Sequence, residues 1–179
     1  MKRYIALLRG INIGGKNKLA MADLKTASTE LGLLSVKTYI NSGNLIFTSP
    51  IDDQHLLQTM IETMIKETFE LAIPVHLILQ TDLKMILNNA PDWWGTDDQA
   101  IYDNLIFIMS PLSTQTVYDA LGPPNTSYEK ESPDDKAIFW SFIRKEYRQT
   151  NWWAKTAKST VSTKLTIRTA NTVKKIVDM

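Results

Sequence analysis

The 179 residues carry 20 Lys and Arg against 19 Asp and Glu, with two His and no Cys, for a formal net charge of +1. A chain of this length suits one domain, or two small units sharing a core, and buries roughly 70% of its unfolded surface without disulfides or metal. The lack of cysteine excludes thiol catalysis, disulfides and thiolate metal sites, and accords with a reducing compartment.

Tyr4–Leu8 is a short apolar run, consistent with a buried strand. Arg9 interrupts it too early for a signal peptide, and no segment approaches the length of a membrane span, so the chain is read as cytoplasmic with no membrane partner. A glycine-rich turn, "RGINIGGK", follows. Leu24, Ala27 and Leu31 then share one face of a predicted helix over 21–31, stopped by Gly32. "SVKTYINSGNLIFTS" reads as a hairpin, with strand-like residues on either side of Asn41-Ser42-Gly43-Asn44. Asp52 or Asp53 offers an N-cap to a helix carrying Leu57, Ile61, Met64, Ile65 and Phe69, and Val75–Leu79 is another buried strand.

The order strand, helix, strand, strand, helix, strand is the split βαβ unit of ferredoxin-like folds. It is complete within residues 1–80. Residues 81–179 repeat it less tidily: a short helix near Leu83–Leu87, a strand at Leu105–Met109, a helix capped by Ser113, and two strands around Thr126–Glu131 and Ala137–Ile143. A basic tail leads to a final helix near Thr169. The expected fold is α+β, with two ferredoxin-like βαββαβ subdomains, packed or intertwined, over residues 1–80 and 81–179, and largely antiparallel sheets.

Charge is unevenly spread. Residues 1–50 carry +5, residues 51–143 carry −11, and residues 144–179 carry +7. Basic ends around an acidic middle either build a positive face or pair with the middle and cancel; composition leaves both open.

The stretch from Gly10 fits the phosphate-loop pattern G-x-x-x-x-G-K-[ST] except at its last position, where Asn17 stands. A hydrolytic phosphate loop also needs a helix beginning at its Lys and an acid at the end of a second strand. Lys18-Leu19-Ala20 delays the helix, and no apolar strand runs directly into an Asp. Nucleotide hydrolysis is therefore set aside. What remains is a turn whose N–H groups form an anion-binding nest beside Arg9 and Lys16, or a glycine-rich connection with solvated cations.

His55 and His76 share no metal-binding spacing, and Asp52-Asp53, Asp97-Asp98 and Asp134-Asp135 fall at helix starts and turns, where aspartate is favoured for backbone reasons. No metal site or cofactor is implied, and no catalytic residue is identified. "FWSFIRKEYRQTNWWAKTAK" mixes aromatics with Arg144, Lys145, Arg148, Lys155 and Lys158, a composition suited to stacking on bases beside phosphates. Trp140 and Phe142 share one strand face, so core packing is the better explanation of those two.

"YIALLRGINIGGKNK", "MADL", "VKTYINSGNLIF" and "IRTANTVKKI" occur in this order over nearly the whole chain. Together they resemble the bacterial domain-of-unknown-function family 1697. The resemblance implies an α+β protein of ferredoxin-like subdomains and no particular activity. It groups Arg9, Gly10, Asn12, Gly14, Gly15 and Lys16 in one motif, Tyr39, Ser42, Gly43 and Asn44 in a second, and Arg168, Asn171 and Thr172 in a third. The polar residues exceed what turns require. The expected site is a polar cleft for an anionic or phosphorylated small molecule, formed by Arg9, Asn12, Gly14, Gly15, Lys16, Ser42, Asn44 and Arg168. Nucleic-acid binding through the basic C-terminal region is the alternative. A structural or protein-interaction role is a third, and oligomeric state is left open.

Overall fold

The computed structural model describes residues 1–179 and divides into two units, Met1–Met85 with Lys175–Met179, and Ile86–Lys174. The first contains β1 (Lys2–Leu8), α1 (Met21–Glu30), β2 (Leu34–Tyr39), β3 (Asn44–Ser49), α2 (Gln54–Phe69) and β4 (Val75–Leu79). Its sheet has the order β2-β3-β1-β4, and every neighbouring pair is antiparallel. The two strand–helix–strand crossovers each leave room for one strand between their ends, which is what makes the sheet antiparallel throughout.

Alternation along the strands sends Tyr4, Ala6, Leu8, Leu45, Phe47, Val75 and Leu77 to one face, where Leu24 and Ala27 of α1 and Leu57, Ile61 and Ile65 of α2 cover them. Ile5, Leu7, Ile46 and Ile78, on the opposite face, are buried as well. Asp53 caps α2, its Oδ1 accepting from the Leu56 N–H at 3.0 Å, and Glu70 closes the helix in the left-handed region. The end of the chain belongs to this unit: Arg3 Nη2 donates to the Met179 carbonyl at 2.8 Å and Gln80 Nε2 to that of Val177 at 2.7 Å. Burial pushes the Arg3 guanidinium below its ordinary value.

After α3 (Gln80–Asn88), the second unit runs β5 (Ile101–Ile108), α4 (Thr114–Leu121), β6 (Glu129–Pro133), β7 (Ala137–Ile143), α5 (Trp152–Lys158) and β8 (Leu165–Thr169), before α6 (Ala170–Val177) closes the chain. Its sheet, β6-β7-β5-β8, has the same antiparallel topology. The two sheets and their crossover helices make the protein α+β, with two ferredoxin-like subdomains.

Residues 144–168 are not a basic tail. They form α5 and β8, and β8 pairs with β5 from Asn104↔Thr169 to Ile108↔Leu165. "LTIRT" alternates apolar and polar residues, but over too short a run to stand out in a basic segment; pairing with β5 fixes its place. Seven-residue α5 is too short to show a helical period, yet it delivers Trp152 to the core with no exposed surface.

Candidate functional site

The glycine-rich loop leaves β1 at the end of the first sheet where β3 begins. Within eight residues, Gly10, Asn12, Gly14, Gly15 and Asn17 all have positive φ. Gly14 (φ 58°) and Gly15 (φ 75°) occupy the centre of a turn closed by the Lys16 N–H donating to the Ile13 carbonyl at 3.0 Å. Positive φ at both central positions marks a two-residue hairpin turn of the primed kind. Both glycines have open space where a Cβ would project, so they answer to backbone conformation rather than close packing.

The two asparagines hold this small hairpin shut. Asn12 Oδ1 accepts from the Leu19 N–H at 2.8 Å, while its Nδ2 donates to the Leu19 carbonyl at 2.9 Å and the Asn41 carbonyl at 3.0 Å. The side chain thus imitates a strand pairing at the neck of the loop and fastens it to the β2–β3 turn. Asn17, where a hydrolytic loop has its hydroxyl, donates to the Gly10 carbonyl at 2.9 Å. The helix that follows starts at Met21, well past Lys16. Asn17 is a structural tie, and α1 aims no first-turn N–H groups at the turn.

The β2–β3 turn packs beneath the loop. Gly43 has φ 85°, and its carbonyl accepts from the Leu8 N–H at 2.8 Å. Asn44 is wholly buried and donates to the Tyr39 carbonyl at 2.9 Å and Ser42 Oγ at 3.0 Å, closing the turn from within. Arg9 is half-buried at the loop's base, and its N–H donates to the Pro74 carbonyl at 3.0 Å.

Arg9, Asn12, Gly14, Gly15, Lys16, Ser42 and Asn44 therefore gather at one end of the first sheet. Asn12 is committed to backbone groups and Asn44 to the Tyr39 carbonyl and the Ser42 hydroxyl, while Lys16 and Lys18 stand in solvent. Ile13 is 68% exposed at the tip. The ion pair Lys2–Asp52, at 3.3 Å, lies elsewhere, and neither Lys16 nor Lys18 has a carboxylate partner.

Arg168 lies in the second unit, buried on β8, with Nη1 donating to Thr166 Oγ1 and to the Ile167 carbonyl, each at 3.0 Å. Burial lowers its guanidinium to about 10, which still leaves it charged at neutral pH. Thr172 and Thr169 exchange a hydroxyl hydrogen bond at 3.0 Å at the start of α6.

Most aromatics of the basic segment are core. Trp140 and Trp152 are buried, and their indole N–H groups reach Glu129 Oε2 at 2.9 Å and the Gly122 carbonyl at 2.8 Å. Phe142 is buried between Tyr102 and Trp153, leaving Trp153, 44% exposed, as the large aromatic that faces solvent there. Glu129, 2% exposed, accepts from the Asn125 and Asn151 N–H groups as well as Trp140, so this carboxylate stitches loops together. Of the aspartate doublets, Asp53 caps α2 and Asp98 Oδ1 accepts from the Ala100 N–H at 2.8 Å. No helix is long and apolar enough to cross a membrane.

A model of the family described as protein of unknown function, DUF1697, matches residues 1–139. The solved structure of a conserved bacterial protein from Streptococcus pneumoniae is 32% identical, with a TM-score of 0.85, and the likeness covers 99% of this chain and 97% of that one. No curated protein matches the chain. With the loop and hairpin motifs inside the matched span, the chain belongs to the DUF1697 family of proteins of unknown function.

Proposed function

We propose that the loop over Arg9–Lys18 binds an anionic small molecule or a phosphate group. The observation that carries the reading is the contrast between the loop's two sets of polar groups. Asn12 and Asn17 are consumed in holding the backbone rigid. The Gly14 and Gly15 N–H groups have no protein acceptor, and Lys16 and Lys18 no acidic partner. Free N–H groups beside unpaired ammonium groups on a preformed turn suit an oxyanion, which accepts from both kinds of donor.

The site is built for binding, and its chemistry is charge recognition. Residues 1–22 contain five Lys and Arg and no acid, so the local field favours an approaching anion at low salt. A thermal-shift screen of inorganic phosphate, pyrophosphate and nucleotides against the full chain tests the reading. A ligand bound at 100 times its Kd stabilises by about 2.7 kcal/mol. That gain should disappear in Lys16→Ala and shrink in Lys18→Ala. A gain that survives in both places the anion elsewhere.

A further inference from the structure

The second unit holds a small polar cavity, of about 110 Å³, with features no part of the loop site shares. Its lining includes Asp98, Asp103, Arg144, Thr169 and Asn171. Asp103 is only 8% exposed. Its Oδ1 takes the hydroxyl hydrogen bond of Ser141, the residue paired with it across β5 and β7. Its Oδ2 meets no donor, and it is not among the side-chain atoms sealed from solvent. That oxygen opens into the cavity, where a cationic donor can replace water against it.

Arg144 lines the same cavity but does not donate to Asp103. Its guanidinium lies over the Tyr102 ring, 4.5 Å from the centroid, and donates through Nε to the Gln99 carbonyl at 3.2 Å. It forms no ion pair with Asp98 or Asp103. The stacking and the carbonyl contact fix the guanidinium plane while leaving donors for a ligand. At the same end of the sheet, across β5 from Arg144, α6 begins, with Thr169 accepting from the Thr172 N–H at 3.4 Å. The first N–H groups of a helix add partial positive charge. The cavity is thus lined by carboxylates and by positive charge together.

We infer that this cavity binds a small zwitterion of the α-amino acid class. The ammonium sits at Asp103, with Asp98 adding attraction, and the carboxylate at Arg144 and the start of α6. The volume has room for on the order of half a dozen non-hydrogen atoms, the size of glycine, alanine or serine. The site is independent of the loop proposed above and uses none of its residues.

Isothermal titration of the full chain with glycine, alanine and serine, beside ethylamine and propionate, tests it. The expected result is saturable binding of at least one amino acid, with ethylamine and propionate each at least tenfold weaker. Amide shifts in labelled protein should centre on Asp103, Ser141 and Asn171. Arg144→Ala, an exposed substitution, should weaken binding tenfold or more, as should Asp103→Asn. Failure of all three amino acids to bind at millimolar concentration overturns the inference, and so does equal binding of ethylamine. Retention of full affinity in Arg144→Ala overturns the carboxylate assignment, and with it the zwitterion.

Discussion

Gly43 lies directly against Ile11: a Cβ added to Gly43 would come within 2.7 Å of Ile11 Cδ1 and 2.8 Å of Leu8 Cβ. The β2–β3 turn and the loop after β1 are therefore one packed body, and the glycine is needed twice over, for contact and for its φ of 85°.

Gly43→Ala should accordingly destabilise the protein more than Gly14→Ala does. At Gly14 only the left-handed backbone is strained, costing about 1–2 kcal/mol. At Gly43 overpacking adds about 1–3 kcal/mol. Urea unfolding of the two variants, side by side, checks the order. Equal losses would mean that the turn does not pack on Ile11.

Asn12→Gly keeps the positive φ of 55° accessible while deleting the three side-chain hydrogen bonds. The expected loss is about 1–3 kcal/mol. Because the neck opens locally, amide exchange should quicken at Leu19 before it does in β1. Unchanged exchange at Leu19 would remove the structural role assigned to this side chain.

Glu129→Gln replaces a buried acceptor of three N–H donors by a group that must point an NH2 at one or more of them. A loss of about 2–4 kcal/mol is expected, because charge-assisted bonds are replaced by a donor–donor clash. The near-UV circular dichroism of Trp140 should change with it, since the indole N–H loses its carboxylate.

Tyr118 donates its hydroxyl hydrogen bond to Glu131 Oε2. Burial first, then this hydrogen bond and the nearby negative charge, push its phenol well above the ordinary value of 10.0. The native state therefore keeps a proton that the unfolded chain releases above about pH 10. This contribution is intact below that pH and declines as the pH rises past it. Stability curves for Tyr118→Phe and the parent should differ in slope on the alkaline limb and run parallel below pH 9. Parallel curves throughout would contradict the shift.

What was legible in the sequence depended on the range of the interaction. The Asp53 cap, the Asn-Ser-Gly-Asn turn and the apolar stripe of α2 are short-range signals, and each appears where the spacing placed it. The demotion of the glycine loop was likewise legible, from Asn17 and the late start of α1. Other roles were not. Asn12 bonds to residues 7 and 29 positions away, which no spacing encodes. β8 is a strand because β5 offers it an edge, and its alternation of Leu165 and Ile167 with Thr166 and Arg168 is too short to announce it. Nothing local marks Asp103 as a strand residue: its segment reads as apolar only from Leu105 onward, whereas the strand begins at Ile101.

The central claim, that the rigid loop of the first unit binds an anion, is tested most directly by titrating inorganic pyrophosphate into isotopically labelled protein and following backbone amide shifts. The account predicts saturable downfield movement at Gly14 and Gly15, weakened by added salt and abolished in the Lys16→Ala, Lys18→Ala double variant. Movement that spares Gly14 and Gly15, or that persists unchanged in the double variant, contradicts it.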